Sequence, residues 1–396
     1  MSSPAAGPAG APPPALPDVA SGQYSLDDVR QFILAFFSPS TPSALRRQLD
    51  RWLEAYRGRR EAWAMADQFL VVDARSTPEQ QQQLVQFAAI TMHSKIRYDF
   101  LELPPESLPS LRETLLRHIS RLVAGGSVAS GMGPVLLRLC LALSSLVVQS
   151  PTVSGEEAVQ LAGQSFPPPG GTVALLEILT TLAEEAQSRR TPIGDLRRHS
   201  FLRGLKSAAP AVLELLQQVL VAGASSGQTS WLERVFRCFT AWVSACELPA
   251  PLVAECPLLG HLFEALQRHP ALFHAACDAI LELLRVYHDP EVDQPVIALL
   301  LPSVIALEAL FDKAVADEDE DQMLALARLF ADAGTTYLRP MIISSTRPSA
   351  DDAGATLMRK LFMLVIKCAS NPEPTVSAAT FSFWQRLYDE LYTMHG

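Results

Sequence analysis

Apolar residues recur every three or four positions along most of the chain, which is the spacing of helices with one buried face. The segment 84–122 shows this pattern clearly. Its second half carries apolar residues at Leu108, Leu111, Leu115, Ile119 and Leu122. Pro104 and Pro105 separate the two halves, and neither proline can continue a helix. The segment therefore predicts a helix, a turn and a second helix, and we expect the chain to repeat this unit.

The same spacing extends from Ser25, which forms a predicted capping pair with Asp28, to a last helix with a stripe through Val376, Phe383 and Leu391. The pattern gives about sixteen helices, hence about eight pairs with a period of roughly 40 to 50 residues, as in HEAT-type repeats. No stretch alternates convincingly as a strand does. The predicted fold is all-α, a right-handed α-solenoid of about eight HEAT-type helical hairpins.

Composition supports a helical chain with a large buried fraction, since 48% of the 396 residues are hydrophobic and 19% are charged. The first 22 residues are rich in Pro, Ala and Gly and lack the features of a secretory signal, so we expect an unstructured tail. Apolar runs at 134–148 and 295–311 are shorter than a membrane span and contain Arg138 and Glu308. We interpret both as buried helices, without membrane insertion.

The charge and the cysteines narrow the possible partners. A net charge of −10 argues against direct nucleic-acid binding and favours protein partners, particularly basic ones. The six cysteines form no CxxC pair, which suits a reducing compartment without disulfides.

No motif predicts catalysis, a metal or another cofactor. The glycine-rich segment 125–133 follows no strand and precedes no lysine, so we interpret it as a linker rather than a phosphate loop. Cys246, Cys256 and His261 fit no common zinc-finger spacing. We predict that the chain is not an enzyme.

Two charge clusters each leave two interpretations open. The first is either a solvated turn at a helix start or a docking site for a basic partner, and comprises Asp317, Glu318, Asp319, Glu320 and Asp321. The second is either a solvated loop between repeats or a contact for an acidic partner, and comprises Arg189, Arg190, Arg197 and Arg198.

Several segments, in order, resemble the karyopherin-β family of nuclear transport receptors. They read FAAITMHSKIRYDFLELPPESLPSLRETLLRHISRL, LLEILTTLAEEAQSRR, VFRCFTAWV and FSFWQRLYDELY. The resemblance covers about residues 25–393 and is strongest to the branch of transportin-SR and importin-13. Receptors of this family are longer, so the chain resembles their N-terminal portion, with the repeat array apparently truncated.

The resemblance implies a monomeric receptor that shuttles between nucleus and cytoplasm through the nuclear pore. It implies binding of the GTPase Ran in its GTP form, of Phe-Gly nucleoporins in grooves between outer helices, and of protein cargo such as SR-type splicing factors. It also implies a division into a tail, a Ran-binding region of N-terminal HEAT repeats, exportin-1/importin-β-like repeats and further repeats, at 1–22, 23–96, 97–245 and 246–396.

Family members bind Ran through the inner, second helix of each N-terminal hairpin. By resemblance, the Ran-facing candidates on the predicted helices 43–57 and 80–96 are Gln48, Arg51, Gln86 and His93. The Arg-rich helix that recognises cargo in the transportin-SR branch has no match here, so cargo binding would need C-terminal repeats that this chain lacks. The alternative is a HEAT-repeat scaffold or adaptor without the cargo-binding half.

Overall fold

A computed structural model describes residues 16–71, 76–126, 131–339, 342 and 353–395, and within them the regular structure is helical, without β-strands. This confirms the predicted all-α class. The helices are α1 (Leu26–Phe37), α2 (Ser43–Arg57), α3 (Glu61–Phe69), α4 (Pro78–Tyr98), α5 (Leu108–Ala124), α6 (Gly133–Gln149), α7 (Gly155–Ser165), α8 (Thr172–Gln187), α9 (Asp195–Ser226), α10 (Thr229–Cys246), α11 (Ala250–Ala254), α12 (Leu258–Arg268), α13 (Phe273–Val286), α14 (Gln294–Ala306), α15 (Glu308–Ala316), α16 (Glu320–Thr336), α17 (Ala353–Ala369), α18 (Pro374–Ala378) and α19 (Phe381–His395). Short 3-10 helices lie at Val19–Ser21, Phe100–Glu102, Pro105–Ser107 and Pro270–Leu272.

The chain divides into two compact units. Unit 1 comprises residues 1–150 and 189–193, and unit 2 comprises residues 151–188 and 194–396.

Capping boxes fix where three helices begin. At α1 the Ser25 hydroxyl accepts a hydrogen bond from the Asp28 amide at 3.1 Å, and the Asp28 carboxylate accepts one from the Ser25 amide at 2.7 Å. This confirms the predicted capping pair. Thr77 and Ser154 begin α4 and α7 with the same reciprocal arrangement. Each box satisfies two amides that have no carbonyl partner inside the helix.

In unit 1, residues 16–22 form an N-terminal strap against α2. The indole nitrogen of Trp52 donates a hydrogen bond to the Pro17 carbonyl at 2.7 Å, and Leu16 and Val19 pack on the adjoining core cluster. The expected unstructured tail is therefore too long, because residues 16–22 bury apolar side chains and satisfy a buried indole. Residues 1–15 lie outside the described residues.

The helices of unit 1 pair differently from the simplest interpretation of 84–122. Helix α4 packs chiefly against α3 and α6, and α5 packs against α6. The hairpins are therefore α3–α4 and α5–α6, and the proline-marked turn connects two hairpins. Both helices carry apolar stripes, but periodicity alone does not say which neighbour covers a stripe.

A buried lysine fastens the turn after α4. Lys95 is 1% exposed, and its ammonium contacts the carboxylates of Asp99 at 2.7 Å and Glu102 at 3.0 Å. It also lies 5.5 Å from the centre of the Trp63 ring. The ammonium thus has two counter-charges and an aromatic face, as a buried cation requires.

Unit 2 begins with a close crossing of α7 and α9. A Cβ atom added at Gly155 would lie 2.3 Å from the Phe201 carbonyl oxygen and 2.6 Å from the Leu205 amide nitrogen. On the facing helix, a Cβ at Gly204 would lie 2.8 Å from the Gly155 nitrogen. Glycine at both positions is what lets the two backbones touch.

Five helices of unit 2 form a stack in which each contacts the next, namely α8, α10, α13, α16 and α19. Aromatic side chains connect consecutive layers through carbonyl oxygens. Trp242 donates to Leu179 at 3.0 Å, Tyr287 to Leu248 at 2.9 Å, and Tyr337 to the carbonyl of Tyr287 at 3.3 Å.

Two segments of the described chain, Asp195–Ser226 and Gln294–Ala316, are long and apolar enough to cross a membrane by length and composition alone. Core helices of soluble proteins pass the same test, so length and composition are weak evidence for a membrane span. About four-tenths of each segment is buried within the fold.

Candidate protein-interaction surfaces

Helix α2 presents Gln48 and Arg51 to solvent. Its opposite face is buried through Leu49, Trp52, Leu53 and Tyr56, so these polar positions are left outside. Gln48 and Arg51 line a shallow groove whose other wall is the N-terminal strap, from Leu16 to Val19. A partner approaching this face of α2 meets the strap as well as the helix.

Helix α4 places the other two candidate residues differently. Gln86 is exposed, whereas His93 is 7% exposed. His93 Nδ1 lies 3.5 Å from Nη1 of Arg138 on α6. Because a guanidinium has no acceptor, Nδ1 accepts and the proton of the neutral ring sits on Nε2, which is buried without a hydrogen-bond partner in the described residues.

Burial, together with the charges of Arg138 and Arg97, lowers the pKa of His93 to about 4. The ring is therefore neutral at neutral pH, since desolvation and nearby cations both disfavour the imidazolium. Periodicity alone does not distinguish His93 from Gln86, because the two residues lie on one face of α4, seven positions apart.

The acidic cluster 317–321 comprises the turn between α15 and α16 and the first two residues of α16. Asp319 is the N-cap of α16, where its carboxylate accepts hydrogen bonds from the Gln322 amide at 3.0 Å and the Gln322 side chain at 2.6 Å. Glu318 adopts a left-handed backbone with φ of 55°. Four carboxylates remain exposed, namely those of Asp317, Glu318, Glu320 and Asp321.

The four arginines of the basic loop do not act as one group. Arg197 donates to the Val153 carbonyl at 2.7 Å and lies 5.0 Å from the Phe201 ring centre. Arg198 donates to the carbonyls of Ala186 and Ser188 at the end of α8. These two residues are structural, whereas Arg189 and Arg190 are exposed.

Unit 2 contains an acidic groove that the sequence did not predict. Its lining includes Glu184, Glu233, Arg237, Asp278 and Glu282, which come from α8, α10 and α13. Beside it, Glu177 is 6% exposed and binds Arg234 at 3.0 Å and Arg237 at 2.6 Å, which ties α8 to α10. The acidic residues are 45 to 50 positions apart between helices, so no local run in the sequence reveals the groove.

Two clefts between helices have largely apolar walls. The first lies between α3, α4, α5 and α6 and is lined by Leu70, Gln81, Val85, His118, Arg121, Leu122, Gly125, Met132 and Leu139. The His118 Nε2 atom lies 2.9 Å from the Asp67 carboxylate. The second lies between α14, α15 and α17, where Met363 is 60% exposed.

Metal ligands do not converge in the part of the chain that the structure describes, where no group of three or more His, Cys, Asp or Glu side chains could hold an ion. Burial raises the pKa of Cys238 and Cys277 to about 12, so these thiols stay protonated at neutral pH. The candidate sites in the described residues are therefore surfaces, grooves and clefts.

Comparison with known proteins shows what the chain is similar to. Residues 133–280 match the model of the exportin 1-like protein, and residues 318–396 match that of the second TPR domain of transportin-3 and importin-13. Together these segments make up more than half of the chain. The chain is similar to nuclear transport receptors of the karyopherin-β family. This confirms the family and branch that the sequence resembles, and the HEAT-type character of its hairpins.

Individual relatives agree with the models. Transportin MOS14 of Arabidopsis thaliana is 27% identical over 353 residues, and importin-13 of Homo sapiens is 26% identical over 360 residues. Each alignment covers 87% of this chain and 34% of the relative. Importin-13 of Gallus gallus is 28% identical over 301 residues, which are 72% of this chain. The chain thus spans about one third of the length of these curated relatives.

Proposed function

We propose that this karyopherin-β chain functions in nuclear transport as part of a receptor that carries protein cargo, with SR-type splicing factors as one cargo class. The observation that carries the proposal is the alignment with a transportin and with importin-13 over 87% of the chain. Stacked helical hairpins with exposed polar edges and apolar clefts suit a receptor that binds several proteins at once. Such a receptor would shuttle between nucleus and cytoplasm.

Ran in its GTP form is the proposed partner of region 23–96. The support is the exposed polar edge of α2 and α4, where Gln48, Arg51 and Gln86 reach solvent. His93 would contribute indirectly, because it is buried and holds Arg138 at the surface through the 3.5 Å contact.

A pull-down of the purified chain with Ran loaded with GTP or GDP tests this partner. We expect binding to the GTP form only, and weaker binding by Arg51→Glu and Gln86→Glu. Arg203→Glu is the matched control, since Arg203 is also exposed on a helix but lies on α9 in unit 2. Equal capture of both nucleotide forms of Ran, or no capture of either form, would contradict the proposed Ran site.

Phe-Gly nucleoporins are proposed to bind the two apolar clefts. A Phe ring inserted beside Leu122 and Leu139 in the first cleft, or beside Met363 in the second, would bury apolar surface. Individually weak contacts of this kind release quickly.

The nucleoporin proposal is tested by titrating a Phe-Gly repeat peptide and its Phe→Ser version against the chain. Leu122→Lys and Met363→Lys should each reduce the shift of nearby NMR signals, and the Phe→Ser peptide should give none. If both peptides perturb the same signals equally, the clefts do not recognise Phe rings.

The acidic turn 317–321 is proposed as a docking site for a basic surface of Ran or cargo. Four of its five carboxylates are exposed and uncommitted to the helix cap. Replacing Asp317, Glu318, Glu320 and Asp321 by Asn or Gln, with Asp319 retained to keep the cap, isolates this charge. A partner affinity unchanged by the four substitutions would show that the turn is only solvated.

A HEAT-repeat scaffold or adaptor is the second candidate function, favoured by stacked helical hairpins that carry exposed polar, acidic and apolar surfaces for protein partners. The two functions differ in nucleotide response. A scaffold would bind its partners regardless of Ran-GTP, whereas a transport receptor would change its affinity for its partners when Ran-GTP is added.

A further inference from the structure

Unit 1 gathers arginines around His93. Arg138 of α6 contacts His93 Nδ1 at 3.5 Å, and Arg97 follows His93 by one turn of α4. Both guanidinium groups act on the same imidazole, since their charges lower its pKa along with burial. Two helices thus direct positive charge to one place.

The basic loop adds to this cluster. Arg97 Nη2 contacts the Thr191 hydroxyl at 3.5 Å, and residues 189–193 pack with unit 1. Arg189 and Arg190 directly precede Thr191, and both are exposed. The fold therefore brings residues almost a hundred positions apart to the end of α4. We call Arg97, Arg138, Arg189 and Arg190 the arginine patch.

The exposed members of the patch are Arg138, Arg189 and Arg190. Arg138 and Arg189 make no ion pair with any described residue, and the nearby Asp99 and Glu102 are engaged by Lys95. An exposed positive concentration of this kind is unusual on a chain with a net charge of −10.

We propose that the arginine patch binds an acidic segment of a partner protein. Guanidinium groups present forked pairs of N–H donors that match carboxylates, and several on one surface would follow a run of Asp or Glu. Complementary charge of this type also speeds encounter and is weakened by salt. This proposal goes beyond the proposed Ran site, because the arginine patch would bind any partner segment that carries a run of acidic residues.

A fluorescein-labelled decaglutamate peptide serves as the probe, with fluorescence anisotropy as the readout and the full chain as the protein. We expect saturable binding at about 50 mM salt that weakens steeply by about 200 mM, as exposed ion pairs do. Arg138→Glu and Arg189→Glu should each weaken binding roughly fivefold, and together more. The control Arg203→Glu should leave the affinity within about twofold, because it changes net charge equally elsewhere on the surface.

Three outcomes would overturn the proposal. One is equal weakening by all three reversals, which would indicate non-specific attraction. Another is displacement of the peptide by inorganic phosphate at equimolar concentration, which would indicate a small-anion site. The third is a single-stranded oligonucleotide that binds the patch more tightly than the peptide. The peptide assay contains no Ran, so its failure and a failure of the Ran pull-down are separate results.

Discussion

Buried polar side chains fix the backbone at single points of this fold. Lys95 is the clearest case, because its ammonium is inaccessible to water yet contacts two carboxylates and an indole ring. Lysine is almost never fully buried unless it is paired, and nothing in the local sequence marks Lys95 as an exception. Its burial depends on Trp63, which lies 32 positions earlier in the chain, so local pattern cannot reveal it.

Glu102→Gln tests this lysine's environment. The hydrogen bond from Lys95 lowers the pKa of the Glu102 carboxyl. A folded-state pKa below the unfolded value stabilises the fold above the unfolded pKa, and that stability is lost as pH falls through the folded pKa. The variant should therefore be less stable than wild type at pH 7, and the two should converge below about pH 4. Urea unfolding at several pH values measures this, and a constant difference across pH would contradict it.

Gly155→Ala tests the crossing of α7 and α9. Since a Cβ there would meet backbone atoms at 2.3 and 2.6 Å, the helices must separate, and we expect a loss of about 2 kcal/mol or more. Gly163→Ala on the same helix is the control, because its Cβ would meet nothing within 4 Å. That change should stabilise by about 0.5–1 kcal/mol through helix propensity. Chemical denaturation measures the free energy of unfolding of both variants. Similar changes in this free energy for the two variants would contradict the steric explanation.

Helices are the scale at which the sequence was most informative. The predicted helix 43–57 coincides with α2, and the Ser25–Asp28 cap begins α1 as expected. Helix pairing was less accessible, because α4 and α5 read as one hairpin but pack as members of two. An apolar stripe predicts that one face of a helix is buried. Which neighbouring helix covers that face depends on loop geometry and on the fit between distant parts of the chain.

The N-terminal strap gives a prediction at the scale of elements. Removing residues 1–22 takes away Leu16, Val19 and the carbonyl that accepts from Trp52, so α2 should lose about 1–3 kcal/mol of local stability. Removing residues 1–15 alone should leave α2 unchanged. Hydrogen exchange of the α1 and α2 amides measures both, and equal protection in the two truncations would show that the strap does not stabilise α2.

Charge distribution is the property of the whole molecule that the sequence conceals. The acidic groove takes residues from three helices of unit 2, and the arginine patch takes residues from α4, α6 and a loop of unit 1. The two local clusters visible in the sequence were only partly informative. Arg197 and Arg198 satisfy backbone carbonyls, whereas Asp319 caps a helix. The net negative charge of the chain predicts a basic partner, and it does not reveal the arginine patch.

Stacked hairpins make stability local, because each layer mainly contacts its neighbours. Trp242→Ala would remove a fully buried indole and its bond to Leu179, at a cost of about 3–5 kcal/mol. We expect hydrogen-exchange protection to fall in α8, α10 and α13, while α1 and α2 keep theirs. Trp231→Ala, on the same helix but half-buried, should reduce protection less. A uniform loss across both units would instead mean that the chain unfolds as one cooperative body, contrary to the behaviour of a repeat array.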